Sequence, residues 1–175
     1  MGVMNEIAPR QTARTAAGAP ATDAVREYLT FGLGQESYGT DILKIQEIRS
    51  YEAPTRIANA PGCVKGVIDL RGAIVPIVDL RFLMNVSEAT YDESTVVIIV
   101  GIGERTIGLV VDTVSDVVSL STKQIRPAPQ WEDGADAGYV VGLGCIAQGD
   151  GQRMLILVDI ERLLAGGELG RDFSS

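Results

Sequence analysis

The chain has 175 residues, with 15 Lys and Arg against 23 Asp and Glu, a formal charge of −8 and no histidine. That size fits one domain or two very small ones, and the charge repels phosphate backbones and anionic membranes, which argues against nucleic acid as a partner. Without an imidazole there is no Ser-His-Asp or Cys-His nucleophile system, no histidine-ligated metal and no phosphohistidine relay.

Along the chain, the stretch from Gln11 to Thr22 is small, polar and aperiodic. Residues 1–25 therefore read as a flexible leader, because nothing in them offsets the entropy of ordering. They lack the apolar run of a signal peptide, and no segment approaches the ~18 apolar residues of a membrane span, so the chain is expected in the cytoplasm. β-Branched residues then dominate, punctuated by glycines, and the pattern predicts many short strands. The expected strands are Glu27–Leu33, Gly66–Leu70, Ala73–Val78, Thr95–Ile102, Thr106–Val111, Tyr139–Ile146 and Arg153–Val158. Glycines at 34, 72, 103 and 149 supply the hairpin turns. Pro76 inside a strand donates no ladder bond and implies an edge or a bulge. Two segments, Ile42 to Ile48 and Val111 to Val118, fit helical and strand spacing alike and are read as strands with a kink. Asp159 opens a short helix that Gly166 ends, and 166–175 reads as a flexible tail.

The halves repeat. Leu33–Gly39 corresponds to Ile102–Gly108, and Ile77–Leu83 corresponds to Leu157–Leu163. Each half is hairpin, kinked strand, loop, hairpin and short helix. Neither half alone buries much apolar surface, so two small barrels sharing one interface are expected, at about 27–86 and 94–165 within a folded body of 26–165.

Asp69, Asp79, Asp112 and Asp159 each follow apolar pairs. Converging, they would make a small acidic β-barrel enzyme or ligand binder that takes Mg²⁺. Separately, they end strands, and Asp79 and Asp159 cap the helices that follow, which is the reading the repeat favours. Gly142 and Gly144 carry the letters of a dinucleotide fingerprint, but a turn follows them where a helix N-terminus is needed. No cofactor is expected. Cys63 and Cys145 read as small, buried, reduced residues. Trp131 stands in a turn-rich acidic segment, as an interface anchor or as a lid folded over the core. Glu47 and Arg71 sit beside apolar residues, either as solvated charges or as a pair across a cleft.

Five strings, YGTDILKIQEIR from Tyr38, KGVIDLRGAIVPIVDLR from Lys65, VVDTVSDVVS from Val110, QIRPAP from Gln124 and RMLILVDIE from Arg153, closely resemble the bacterial chemotaxis coupling family CheW. The match runs in order over nearly the whole body. Thr40, where the family usually has an apolar residue, and Asp69, where it commonly has Asn, depart from the pattern. The resemblance implies a mainly β protein of two SH3-like five-stranded barrels with a short C-terminal helix. It implies a non-catalytic cytoplasmic adaptor, with no membrane insertion of its own, joining the cytoplasmic signalling tips of methyl-accepting chemoreceptors to the regulatory domain of the histidine kinase CheA. Self-association in rings is a further implied partner. Carried over by motif, the receptor-facing residues are Ile45, Glu47, Gly66, Arg71 and Val117. One kinase contact falls at Tyr51, Thr55, Arg56 and Ile57, and another at Gln130 and Trp131.

Overall fold

The structure is a computed structural model that describes residues 24–85, 90–128 and 138–165. The leader, the tail, Gln130 and Trp131 lie outside the described residues. The first half contains strands β1 (Val25–Leu33), β2 (Glu36–Asp41), β3 (Ile45–Ser50), β4 (Val64–Leu70) and β5 (Ala73–Asp79), then helix α1 (Leu80–Met84). The second contains β6 (Val96–Ile102), β7 (Arg105–Val111), β8 (Thr113–Ser121), β9 (Ile125–Arg126), β10 (Val140–Gln148) and β11 (Gly151–Val158), then helix α2 (Ile160–Ala165). The protein is therefore mainly β, and every expected strand is present within two residues of its expected bounds.

Both kinked segments are breaks between strands, and each break carries the chain from one sheet to the other. In the first, the Asp41 side chain accepts the Leu43 backbone N–H at 2.9 Å and winds Ile42–Lys44 into a 3-10 turn. Leu43 is thrown outward, 87% exposed, and β3 starts afresh at Ile45. In the second, the Asp112 N–H donates to Gly32 O at 3.1 Å and its carboxylate accepts from the Gly34 N–H at 2.7 Å. These two bonds pin the bend between β7 and β8.

As a result the halves of the repeat are not the units of the sheets. One sheet has six strands in the order β8-β1-β2-β11-β10-β9, and the other has five in the order β3-β6-β7-β5-β4. Each takes the opening hairpin of one half and the remaining strands of the other. The joins are equivalent: β2 runs parallel to β11 with Tyr38 opposite Ile156, and β7 runs parallel to β5 with Gly108 opposite Ile77. The repeat itself is real, since Gly34 and Gly103 turn their hairpins at φ 62° and 61°. The expected division at 27–86 and 94–165 follows the repeat, whereas the hydrogen bonds interleave it.

Burial follows from this interleaving. Along β6, Val97 and Ile99 point into one apolar cluster with Val75 and Ile77, while Ile98 and Val100 point into another with Phe31 and Leu109. A strand buried on both faces needs a continuous apolar run, and residues 96–100 are Val-Val-Ile-Ile-Val. The same alternation places Leu155 and Leu157 of β11 in a third cluster with Tyr28 and Leu120, and Val158 in the central one. The protein thus has a core between the sheets and a smaller one inside each. Helix α2 seals the central core with Ile160, Leu163 and Leu164.

Pro76 lies on β5, which is flanked by β4 and β7 and so is no edge strand. Pairing with β7 begins only at Ile77, so at Pro76 that side of the strand is outside the ladder. The bulge is on the neighbouring β4, between Val64 and Gly66.

Candidate functional site

Strands β3 and β4 are the two edges of the five-stranded sheet, and an ion pair joins the first to the tip of the hairpin that carries the second. Arg71 occupies the β4–β5 turn with φ 53°, and the turn is held by Asp69, whose carboxylate accepts the Gly72 N–H at 2.8 Å. From there the Arg71 guanidinium donates to the Glu47 carboxylate on β3. Arg49 stands 3.3 Å from the same carboxylate. The hydrogen bond from Arg71 holds the Glu47 carboxyl below its ordinary range. Arg71 is nevertheless 69% exposed at its side chain, and an exposed pair adds little to stability. Its geometry suits presentation to a partner.

Of the other residues assigned to that face, Ile45 is partly buried against the central core at the start of β3. Gly66 is buried on β4 with φ 145°. Val117 is on β8, the edge strand of the other sheet, opposite Leu29 and 45% exposed. The structure thus brings Glu47 and Arg71 into contact and places Ile45 on the same strand as Glu47.

A second feature is built by the loop after β3. Thr55 pairs with Val67 through two backbone hydrogen bonds of 2.9 Å, which tether the loop to the outer edge of β4. The tether passes so close to Gly66 that only glycine fits there. Beyond it the chain curls around an open hollow of about 690 Å³. Tyr51, Arg56, Ile57, Lys65 and Tyr91 are among its walls. Ile57 is 51% exposed. Three of the four residues assigned to the first kinase contact therefore line one hollow, and Thr55 ties it down.

Beneath the hollow is a group that sequence reasoning missed. Asp79 caps α1 by accepting the Arg81 backbone N–H at 2.9 Å, as read from the repeat. The Arg81 side chain then folds back, donating to both Asp79 oxygens at 3.0 Å, to Asp112 at 2.9 Å and to the Thr90 carbonyl at 2.6 Å. Tyr91 donates its hydroxyl to Asp79 at 2.6 Å, and the Arg81 guanidinium lies 4.9 Å from its ring centre. Burial and the bond to Asp79 push the Tyr91 phenol above its ordinary value. Burial opposes the charge on Asp79, but hydrogen bonds from Arg81 and Tyr91 outweigh it and hold the carboxyl below the usual range. The local signal was apolar-apolar-Asp, which recurs at 67–69, 77–79, 110–112 and 157–159 and so does not single out the two aspartates that share Arg81.

A depressed carboxylate contributes stability above its unfolded pKa, about 3.9, and that stability is lost as pH falls through the folded value. Thermal melts should therefore hold level down to about pH 5 and drop below about pH 4. Asp79→Asn should start lower at neutral pH and fall less steeply in acid; an acid limb as steep as wild type would assign the loss to other carboxylates.

The four aspartates do not converge. Asp69 closes a turn, Asp159 caps α2 by accepting the Arg162 N–H at 3.1 Å, and Asp79 and Asp112 share a cation, Arg81. This disposition does not fit the alternative of an acidic metal-binding enzyme. Gly142 and Gly144 lie inside β10, and a turn at Gly149 follows. Cys63 is buried, but Cys145 is only partly so, because it alternates with buried Gly144 and faces Met154 across β10 and β11. No helix among the described residues is long and apolar enough to cross a membrane.

Interleaved sheets that hold an exposed ion pair and an open hollow walled by aromatic, aliphatic and cationic side chains, with the four aspartates committed to caps, turns and the grip on Arg81, make a protein-binding scaffold. Residues 27–168 match the CheW-like domain. The chemotaxis protein CheW of Klebsiella aerogenes is 54% identical over 144 residues, covering 82% of this chain and 84% of that protein. That of Rhizobium meliloti is 32% identical, covering 84% and 92%. The crystal structure of the scaffolding protein TtCheW from Thermoanaerobacter tengcongensis is similar with a TM-score of 0.72 at 28% identity, covering 82% of this chain and 95% of that one. The chain belongs to the CheW family, and it is a non-catalytic scaffold that couples chemoreceptors to the histidine kinase CheA in chemotaxis.

Proposed function

We propose that the face built by Ile45, Glu47, Gly66, Arg71 and Val117 receives the helical signalling tip of a methyl-accepting chemoreceptor. The hollow at Tyr51, Thr55, Arg56 and Ile57 docks the regulatory domain of CheA, and Gln130 and Trp131 make the second kinase contact that closes rings of alternating kinase and coupler. The observation that carries the reading is the Glu47–Arg71 pair. It spans residues 24 apart, leaves the guanidinium largely in solvent and has no strong structural purpose. A charged fork held in fixed geometry beside apolar Ile45 suits register-setting recognition of a polar and apolar helix surface. Two separate faces let one small molecule hold two large ones, and the signal passes as a change in their relative geometry.

Co-sedimentation with receptor tips and CheA tests this. Arg71→Ala should weaken receptor capture about tenfold while kinase binding stays at the wild-type level. Trp131→Ala should spare receptor capture and reduce ring assembly. Wild-type behaviour of both variants in every pairing would refute the assignment of the faces.

A further inference from the structure

We propose that Tyr91 is a positioning residue for the kinase-docking hollow: anchored from below by the Asp79–Arg81 pair, it holds the Tyr51 ring in the orientation that the partner meets. The inference rests on the reading of that hollow as a kinase contact. The Tyr51 and Tyr91 rings stack with centroids 4.5 Å apart and planes 26° from parallel. Tyr51 stands at the step from strand to loop, where its N–H donates to the Thr95 carbonyl at 3.1 Å just beyond the end of β3. Among the described residues its ring stacks on Tyr91, and both line the hollow.

Tyr91 in turn is fixed twice. Its hydroxyl is spent on Asp79, and Arg81 sits against its ring while also gripping the carbonyl of the preceding Thr90. A residue needed only to fill space would not require the hydroxyl bond and the cation together. The line from Arg81 to Tyr91 to Tyr51 therefore connects a buried ion pair to a wall whose other residues come from the loop after β3 and the start of β4. A rigid wall lowers the ordering cost that a partner must meet on docking.

The test is a double-mutant cycle read as affinity for the CheA regulatory domain, with receptor-tip affinity and melting temperature measured alongside. An aromatic stack contributes enough to predict a loss of about threefold to tenfold for Tyr91→Ala, with receptor affinity unchanged. Tyr91→Phe keeps the ring but loses the hydroxyl anchor on Asp79, and its kinase affinity should fall between those of wild type and Tyr91→Ala. If Tyr91 acts through Tyr51, the Tyr51→Ala, Tyr91→Ala double variant should bind no worse than Tyr51→Ala alone, whereas a general structural role predicts additive losses and weaker receptor binding. The inference is overturned by additivity, by unchanged kinase affinity in Tyr91→Ala, or by Tyr91→Phe binding the kinase as tightly as wild type. Full kinase affinity in Tyr51→Ala would instead remove the docking assignment of the hollow, and this inference with it.

Discussion

Arg81→Ala should be the most damaging single change considered, costing about 3–5 kcal/mol, because it leaves the buried charge of Asp79 without its partner. Arg81 is 1% exposed at its side chain, and its guanidinium donates to Asp79, Asp112 and the Thr90 carbonyl. Those three sites belong to β5, to the bend between β7 and β8, and to the segment leading into β6. One side chain therefore secures a helix cap, a sheet crossover and a connection. For a chain of this length the melting temperature should fall on the order of 10 °C. Arg81→Lys should recover only part, since an ammonium cannot reproduce the fork on two carboxylates. Calorimetry decides the matter, and a melting temperature within about 2 °C of wild type for Arg81→Ala would show that water relieves Asp79.

Gly66→Ala should be nearly as costly for a different reason. At φ 145° the backbone is where L side chains rarely go, and a β-carbon would press on the Thr55 carbonyl oxygen and lie 2.7 Å from its carbon. Both contacts are with backbone, so no rotamer change relieves them. The expected cost is about 3 kcal/mol. If the chain escapes by releasing the Thr55–Val67 bridge, the loss appears as an opened loop, with faster tryptic cleavage at Arg56 and weaker kinase binding. Gly151→Ala, where nothing lies within 4 Å of the added carbon, is the control and should stay within about 0.5 kcal/mol of wild type. Equal stability and equal cleavage in the two variants would mean that the loop tolerates a displacement that the packing around Gly66 forbids.

The strands were legible because their signals are local: β-branched alternation between glycine turns, and apolar runs where both faces are buried, as in β6. The segments at 42–48 and 111–118 were ambiguous because a 3-10 turn and a one-residue bend leave apolar spacing intermediate between helix and strand. Which sheet a strand joins has no local signal at all. β2 and β11 lie more than a hundred residues apart, and only the pairings of β1 with β8, β2 with β11, β3 with β6 and β5 with β7 reveal the exchange between halves. Arg81 was missed for a related reason. In the sequence it is a polar residue on a short helix, indistinguishable from a solvated one until Asp112 and Tyr91 are brought around it. Glu47 and Arg71 could be singled out as charges among apolar neighbours, but their pairing across 24 positions exists only once the fold brings the β4–β5 turn back to β3.

The exchange of hairpins has a consequence for how the chain is made. While the first half leaves the ribosome, β1 and β2 have no lasting partners, because β8 and β11 are still to be translated. The nascent chain cannot finish one half and then the other: Phe31 and Leu33 are covered only once β6 and β7 emerge, and Tyr28 waits for Leu120, Leu155 and Leu157. β11 and α2, the last elements of the domain in chain order, complete both the six-stranded sheet and the seal over the central core.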